Sequence, residues 1–267
     1  TVVLKARRSE SGSTAPYAPA PIEEVVIAIR EQRPALVCAP HVETASGIIL
    51  PDAYLRAVAD AVHASGGLFV LDCIASGALW VDMIACGVDV LISAPQKGWS
   101  SSACCALVML SERARAAIDA TTSTSFACDL KKWLQIMETY EQGGHAYYAT
   151  MPTDSLARLR DAMRELEGFG FETAKAAQQD LGARVRKMLV AKGMPSVAAP
   201  GFQAPSVVVS YTDDKDIQSG RKLVNLGLTP LQVLQAATVS GAELLGLDDI
   251  GTLEPGKRAD IVAVPDN

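Results

Sequence analysis

The chain lacks any apolar run approaching the roughly 20 residues that a membrane-crossing helix needs, and it lacks the charged, apolar and small-residue arrangement of a secretory signal. It also lacks a basic surplus: 24 Lys and Arg stand against 30 Asp and Glu, a formal net charge of −6. Polyphosphates are held by clustered Lys and Arg, so the sequence predicts no nucleic-acid partner, no membrane partner and a cytoplasmic location. The six cysteines (Cys38, Cys73, Cys86, Cys104, Cys105 and Cys128) include no CxxC pair and lie in apolar stretches, which predicts reduced, core-filling thiols. Three histidines, His41, His63 and His145, are scattered without ligand spacing, against a metal centre. No internal repeat and no low-complexity tract is present.

What is there is a chain of 267 residues, 49% hydrophobic, long enough to bury a full core. From residue 20 to 120, short apolar runs alternate with amphipathic segments, the pattern of an α/β fold with mainly parallel strands joined by crossover helices. The spacing predicts helices over 21–33, 51–64 and 81–86, and strands over 35–39, 68–71, 88–92 and 103–110. Helical stretches at about 128–142 and 153–193 follow, then a smaller α/β portion with a strand at 207–211. Residues 1–6 also read as a strand, with no cap and nothing before it to pair with, as in a piece of a longer chain.

Asp72 and Lys97 each stand just past the carboxyl end of a predicted strand, where open α/β sheets gather their ligands. Most lysines are solvated surface charges, and an Asp ending a strand is either a cap or a buried charge in need of a cation. Pyridoxal 5'-phosphate (PLP) asks for a lysine to form an imine, a carboxylate to keep its ring nitrogen protonated and donors for its phosphate. Lys97, Asp72 and Gln96 supply one of each. Once released, the Lys97 amine would serve as the base that shuttles the α-proton.

The segments HVETASG (41–47), LFVLDCIASGA (68–78), SAPQKGW (93–99) and YYATMPT (147–153), in that order, resemble the class V aminotransferases of fold type I, most nearly the alanine/serine–glyoxylate aminotransferases. The resemblance spans about residues 1–225. It implies a three-layer PLP-transferase large domain, partial here, over 1–152, then a connector helix and partial small domain over 153–225. By the same resemblance Thr44 bonds near the ring hydroxyl, Asp72 holds the pyridinium, Ile74 packs on the ring face and Gln96 reaches the phosphate beside Lys97. Tyr147 and Thr150 match positions that reach the neighbouring subunit's phosphate, implying a homodimer; from the residues alone they read as packing around a turn at Pro152. The implied reaction moves an amino group from alanine or serine to a 2-oxo acid such as glyoxylate or pyruvate.

The family's upstream phosphate loop and ring-stacking aromatic are missing, as is its small-domain Arg for the substrate carboxylate, and Ser102-Ala103-Cys104 replaces its usual glycine after the lysine. From about residue 226 to 267 the sequence resembles instead the C-terminal tail of the amidohydrolase superfamily. Thr229 caps and Pro230 starts a helix with Leu231, Leu234 and Leu245 on its apolar face, and a turn at Glu254-Pro255-Gly256 precedes a strand at 261–264. That family's metal ligands have no counterpart here, and Asp213 and Asp214 read as a solvated turn. Ser100, Ser101 and Ser102 lack the second glycine of a nucleophile elbow. The alternative is a chimeric fold without PLP chemistry, inactive or incidentally hydrolytic.

Overall fold

The computed structural model describes residues 1–218. A first hairpin pairs β1 (Arg7–Arg8) with β2 (Tyr17–Ala18). Helix α1 (Ile22–Gln32) follows Pro21, carries Glu23 and Glu24 in its first turn, where the helix dipole favours acids, and ends at Arg33 with φ 43°. Then come β3 (Leu36–Pro40), the small antiparallel pair β4 (Val42–Glu43) and β5 (Ile48–Ile49), and α2 (Asp52–Ala64). β6 (Leu68–Asp72), α3 (Met83–Cys86), β7 (Val90–Ser93) and β8 (Leu107–Leu110) complete the central region.

The sheet runs β3-β6-β7-β8, with β3, β6 and β7 parallel. Its core face comes directly from periodicity. Phe69 and Leu71, two apart on β6, meet Leu55, Val58, Ala59 and Val62, which share one side of α2, and all six are 2% exposed or less. Val25 and Ile29 of α1 join the same cluster. Burying such side chains stabilises by about 1.5–3 kcal/mol each. On the edge strand β3, Leu36 and Cys38 face outward and are exposed.

Asp89, 1% exposed just before β7, ties the amino end of the sheet together. Its Oδ2 accepts from the Phe69 N–H at 2.9 Å and lies 2.7 Å from His63 Nε2, and its Oδ1 accepts from Ser111 Oγ at 2.9 Å. Burial alone would raise its pKa; these hydrogen bonds outweigh it and hold the carboxyl below its ordinary value.

Beyond the sheet lie α4 (Glu112–Asp119), α5 (Leu130–Glu141), α6 (Thr153–Phe169) and α7 (Phe171–Ala191). The chain divides into two compact units, Thr1–Ser210 and Tyr211–Asn267. Of the second, the described part is 211–218, where Asp214 Oδ1 accepts from the Asp216 and Ile217 N–H groups at the start of α8 (Lys215–Gln218).

Several expectations need correction. The strand expected over 103–110 is confined to Leu107–Leu110 and runs antiparallel to β7. Ser93 pairs with Leu107, so residues before 107 have no strand left to pair with, and without a crossover helix the chain must return antiparallel. The helical stretch at 153–193 breaks at Gly170, whose φ of 97° favours glycine. Residues 207–211 form no strand: their neighbours offer single contacts, such as Val197 N–H to Val209 O at 2.9 Å, instead of a ladder. Residues 1–6 are exposed coil, with no strand pairing among the described residues. Cys73 and Cys86 are buried, whereas Cys38 and Cys128 are exposed. The helix, turn and strand expected in the 226–267 tail lie outside the described residues.

Candidate active site

Three adjacent parallel strands release their chains at the same edge. β3 leads to Thr44 at the tip of the β4–β5 turn, β6 ends on Asp72, and β7 leads through a turn to Gln96 and Lys97. In register, Pro40 pairs with Asp72 and Asp72 with Ile92, so Asp72 stands between the other two exits. The sequence prediction that Asp72 and Lys97 share one edge rests on this topology. Asp72, Gln96, Lys97 and Thr44 are all exposed.

The edge is braced from below. Asp72 Oδ1 accepts from the Ile74 N–H at 2.9 Å, turning the chain back after β6. His41, just past β3, puts Nδ1 2.7 Å from Ser76 Oγ, and its backbone N–H donates to Asp72 O at 2.8 Å. Burial pushes the His41 imidazole down to about 4, against an opposing pull from Asp52, so the ring is neutral at ordinary pH. Ser206 Oγ donates to Ala75 O at 2.9 Å, and the Ala78 N–H donates to Gln178 Oε1 of α7. Gly77 has φ 64° and leaves room for that glutamine, since a Cβ would collide with its amide.

The loop after β7 rests on the loop after β6 through two glycines: a Cβ on Gly98 would run into the carbonyl of Gly77. Trp80 and Trp99, one from each loop, pack with ring centroids 4.8 Å apart, and Phe171 meets Trp80 edge-on at 5.3 Å. The Ser100 N–H closes the Lys97 turn onto Lys97 O at 3.0 Å. Ser100 takes φ 52°, a left-handed conformation for a non-glycine. Arg158 of α6 donates to Ser102 Oγ at 3.3 Å.

The donor set fits PLP in two of its three demands. Lys97 offers an exposed amine, and Asp72 an exposed carboxylate whose Oδ2 takes no protein hydrogen bond among the described residues. Ile74 sits beside Asp72 on the same turn. The phosphate side is less built: Gln96 is exposed, and Tyr147 and Thr150 bond to each other at 2.9 Å, with Tyr147 72% exposed. Neither bonds to Asp72, Gln96 or Lys97. A cleft of about 670 Å³ is lined instead by His41, Asp52, Trp80, Lys175 and Arg186 among others, and none of the residues assigned to the cofactor lines it. Sequence reasoning missed it, although residues 175, 179, 183 and 186 recur at helix spacing. Among the described residues no group of three or more His, Cys, Asp or Glu side chains is placed to hold a metal, and no helix is long and apolar enough to cross a membrane.

Comparison with known proteins matches different parts of the chain to different relatives. The structure of an alanine–glyoxylate aminotransferase from Nostoc sp. superposes with a TM-score of 0.68 at 24% identity, covering 76% of this chain and 53% of that one. A soluble hydrogenase small subunit from Synechococcus sp. is 26% identical over 211 residues, 78% of this chain and 53% of the relative. The alanine–glyoxylate aminotransferase of Callithrix jacchus is 27% identical over 207 residues, 74% and 49% of the two chains. The chain thus spans about half the length of these relatives. The amidohydrolase family matches residues 212–266, and an adenine deaminase from Cereibacter sphaeroides is 52% identical over 44 residues, 16% of this chain and 8% of that protein. The chain has the fold of the alanine–glyoxylate and related class V aminotransferases over about three quarters of its length, joined to a segment, 212–266, that matches the amidohydrolase family.

Proposed function

We propose that the chain carries the lysine-bearing half of a PLP-dependent aminotransferase that moves an amino group from a small amino acid, alanine or serine, to a 2-oxo acid such as glyoxylate or pyruvate. The observation that carries this reading is the placement of Asp72 and Lys97 on abutting loops at the carboxyl ends of neighbouring parallel strands. PLP, when bound, supplies an electron sink for the carbanion formed at the amino acid's α-carbon.

The chain's own residues account for holding and proton movement. Asp72 Oδ2 would be the acceptor for a protonated ring nitrogen, and the Ile74 N–H on Oδ1 keeps the carboxylate oriented. Lys97 Nζ would hold the group and, when free, would take and return the α-proton. Gln96 and Thr44 stand ready as donors on either side. Tyr147 and Thr150, exposed and bonded to each other, would reach the phosphate of a second copy in a homodimer.

Titrating PLP into the protein tests this reading. A visible absorption band that survives dialysis in the wild type, vanishes in Lys97→Ala and weakens in Asp72→Asn supports it. A band indifferent to Lys97→Ala, or none in the wild type, contradicts it.

A further inference from the structure

Helix α7 presents Lys175, Gln179, Ala183 and Arg186 at steps of four, four and three residues, which places them along one face. That face lines the cleft of about 670 Å³, together with Pro51 and Asp52 at the start of α2 and with Trp80. The helix is drawn in tightly at Gly182, where a Cβ would fall 2.5 Å from the carbonyl oxygen of Pro205. The approach sinks Arg186 to 8% exposure, where one Nη donates to Ala204 O at 2.8 Å.

The guanidinium is otherwise unanswered. Among the described residues its buried Nε has no hydrogen-bond partner and no carboxylate comes within ion-pair distance. Burial moves its pKa below the ordinary value. A buried cation without a counter-ion is costly, and an arriving anion relieves that cost. Lys175 adds a second cation to the same face, 3.8 Å from the largely exposed Glu172. Asp52 contributes the carboxylate of the lining and His41 is neutral, which leaves one net positive charge. The start of α2, where no side chain caps the first-turn N–H groups, adds positive potential. The rest of the lining is largely apolar, including Leu50 and Leu79.

We propose that this cleft binds a small monocarboxylate with an apolar body, its carboxylate held by Arg186 and Lys175 and its hydrocarbon set against Leu50, Leu79 and Trp80. The site is separate from Lys97 and needs no cofactor.

The test is calorimetric titration of the full chain, without PLP, with 4-methylpentanoate, followed in parallel by tryptophan fluorescence. Saturable one-to-one binding is expected. It should weaken roughly tenfold or more in Arg186→Gln, as loss of a charge-assisted hydrogen bond requires, and several-fold in Lys175→Gln, and it should be unchanged in Lys97→Ala. The neutral 4-methylpentan-1-ol should bind far more weakly. Should Arg186→Gln fail to fold, Lys175→Gln and the alcohol decide: acid and alcohol binding alike, or Lys175→Gln at wild-type affinity, overturns the proposal. Absence of saturable binding to the wild type overturns it as well.

Discussion

Gly98 lies against Gly77 so closely that a Cβ on Gly98 would run into the Gly77 carbonyl. One residue sits next to Lys97 and the other five residues past Asp72, so this backbone contact sets how the amine and the carboxylate stand to one another.

Gly98→Ala should therefore act on the site before it acts on the fold. Overpacking of this kind costs about 1–3 kcal/mol, which would lower the unfolding midpoint modestly and largely abolish retention of PLP. Thermal denaturation beside PLP absorbance separates the two effects. Full PLP retention in the alanine variant would show that the loops can part without consequence.

Much of this edge was legible in the sequence. The alternation in residues 68–72 and the α2 face at 55, 58, 59 and 62 gave a buried parallel strand and its covering helix, and from those the positions of Asp72 and Lys97 follow. Less legible was whatever depended on a partner. Residues 207–211 carry a good strand pattern but find only single contacts, and residues 103–106 face the end of β7. The burial of Arg186 was not legible, because the close approach of Gly182 to Pro205 leaves no mark in local composition.

Two buried groups should shape acid stability. His41 is held at about 4 when folded against 6.5 ordinarily, so the unfolded chain binds the extra proton between those values. Stability is complete above pH 6.5 and falls as pH drops towards 4; His41→Gln should flatten that slope. Asp89 is depressed below its ordinary 3.8, so its contribution is present above pH 3.8 and lost as pH falls through the folded value. Asp89→Ala should remove it and cost about 1–3 kcal/mol at neutral pH by stranding the Phe69 N–H. Urea denaturation from pH 3 to 8 checks both, and an unchanged slope in His41→Gln would contradict the first.

The cysteines should react in two groups. Cys38 and Cys128 are exposed and should be modified first by a thiol reagent in the native protein. Cys73, buried and pushed up to about 12 by its surroundings, and Cys86, buried likewise, should react only on unfolding. Mass mapping after a brief native labelling gives the order, and early labelling of Cys73 would contradict the burial found here.

The most direct test of the account is to incubate the protein with PLP, reduce with borohydride and map the modified peptide. The account predicts a single reduced pyridoxyl group on Lys97, lost in Lys97→Ala and diminished in Asp72→Asn. Labelling spread over surface lysines, or none at Lys97, would mean that the chain keeps the aminotransferase fold without its cofactor chemistry.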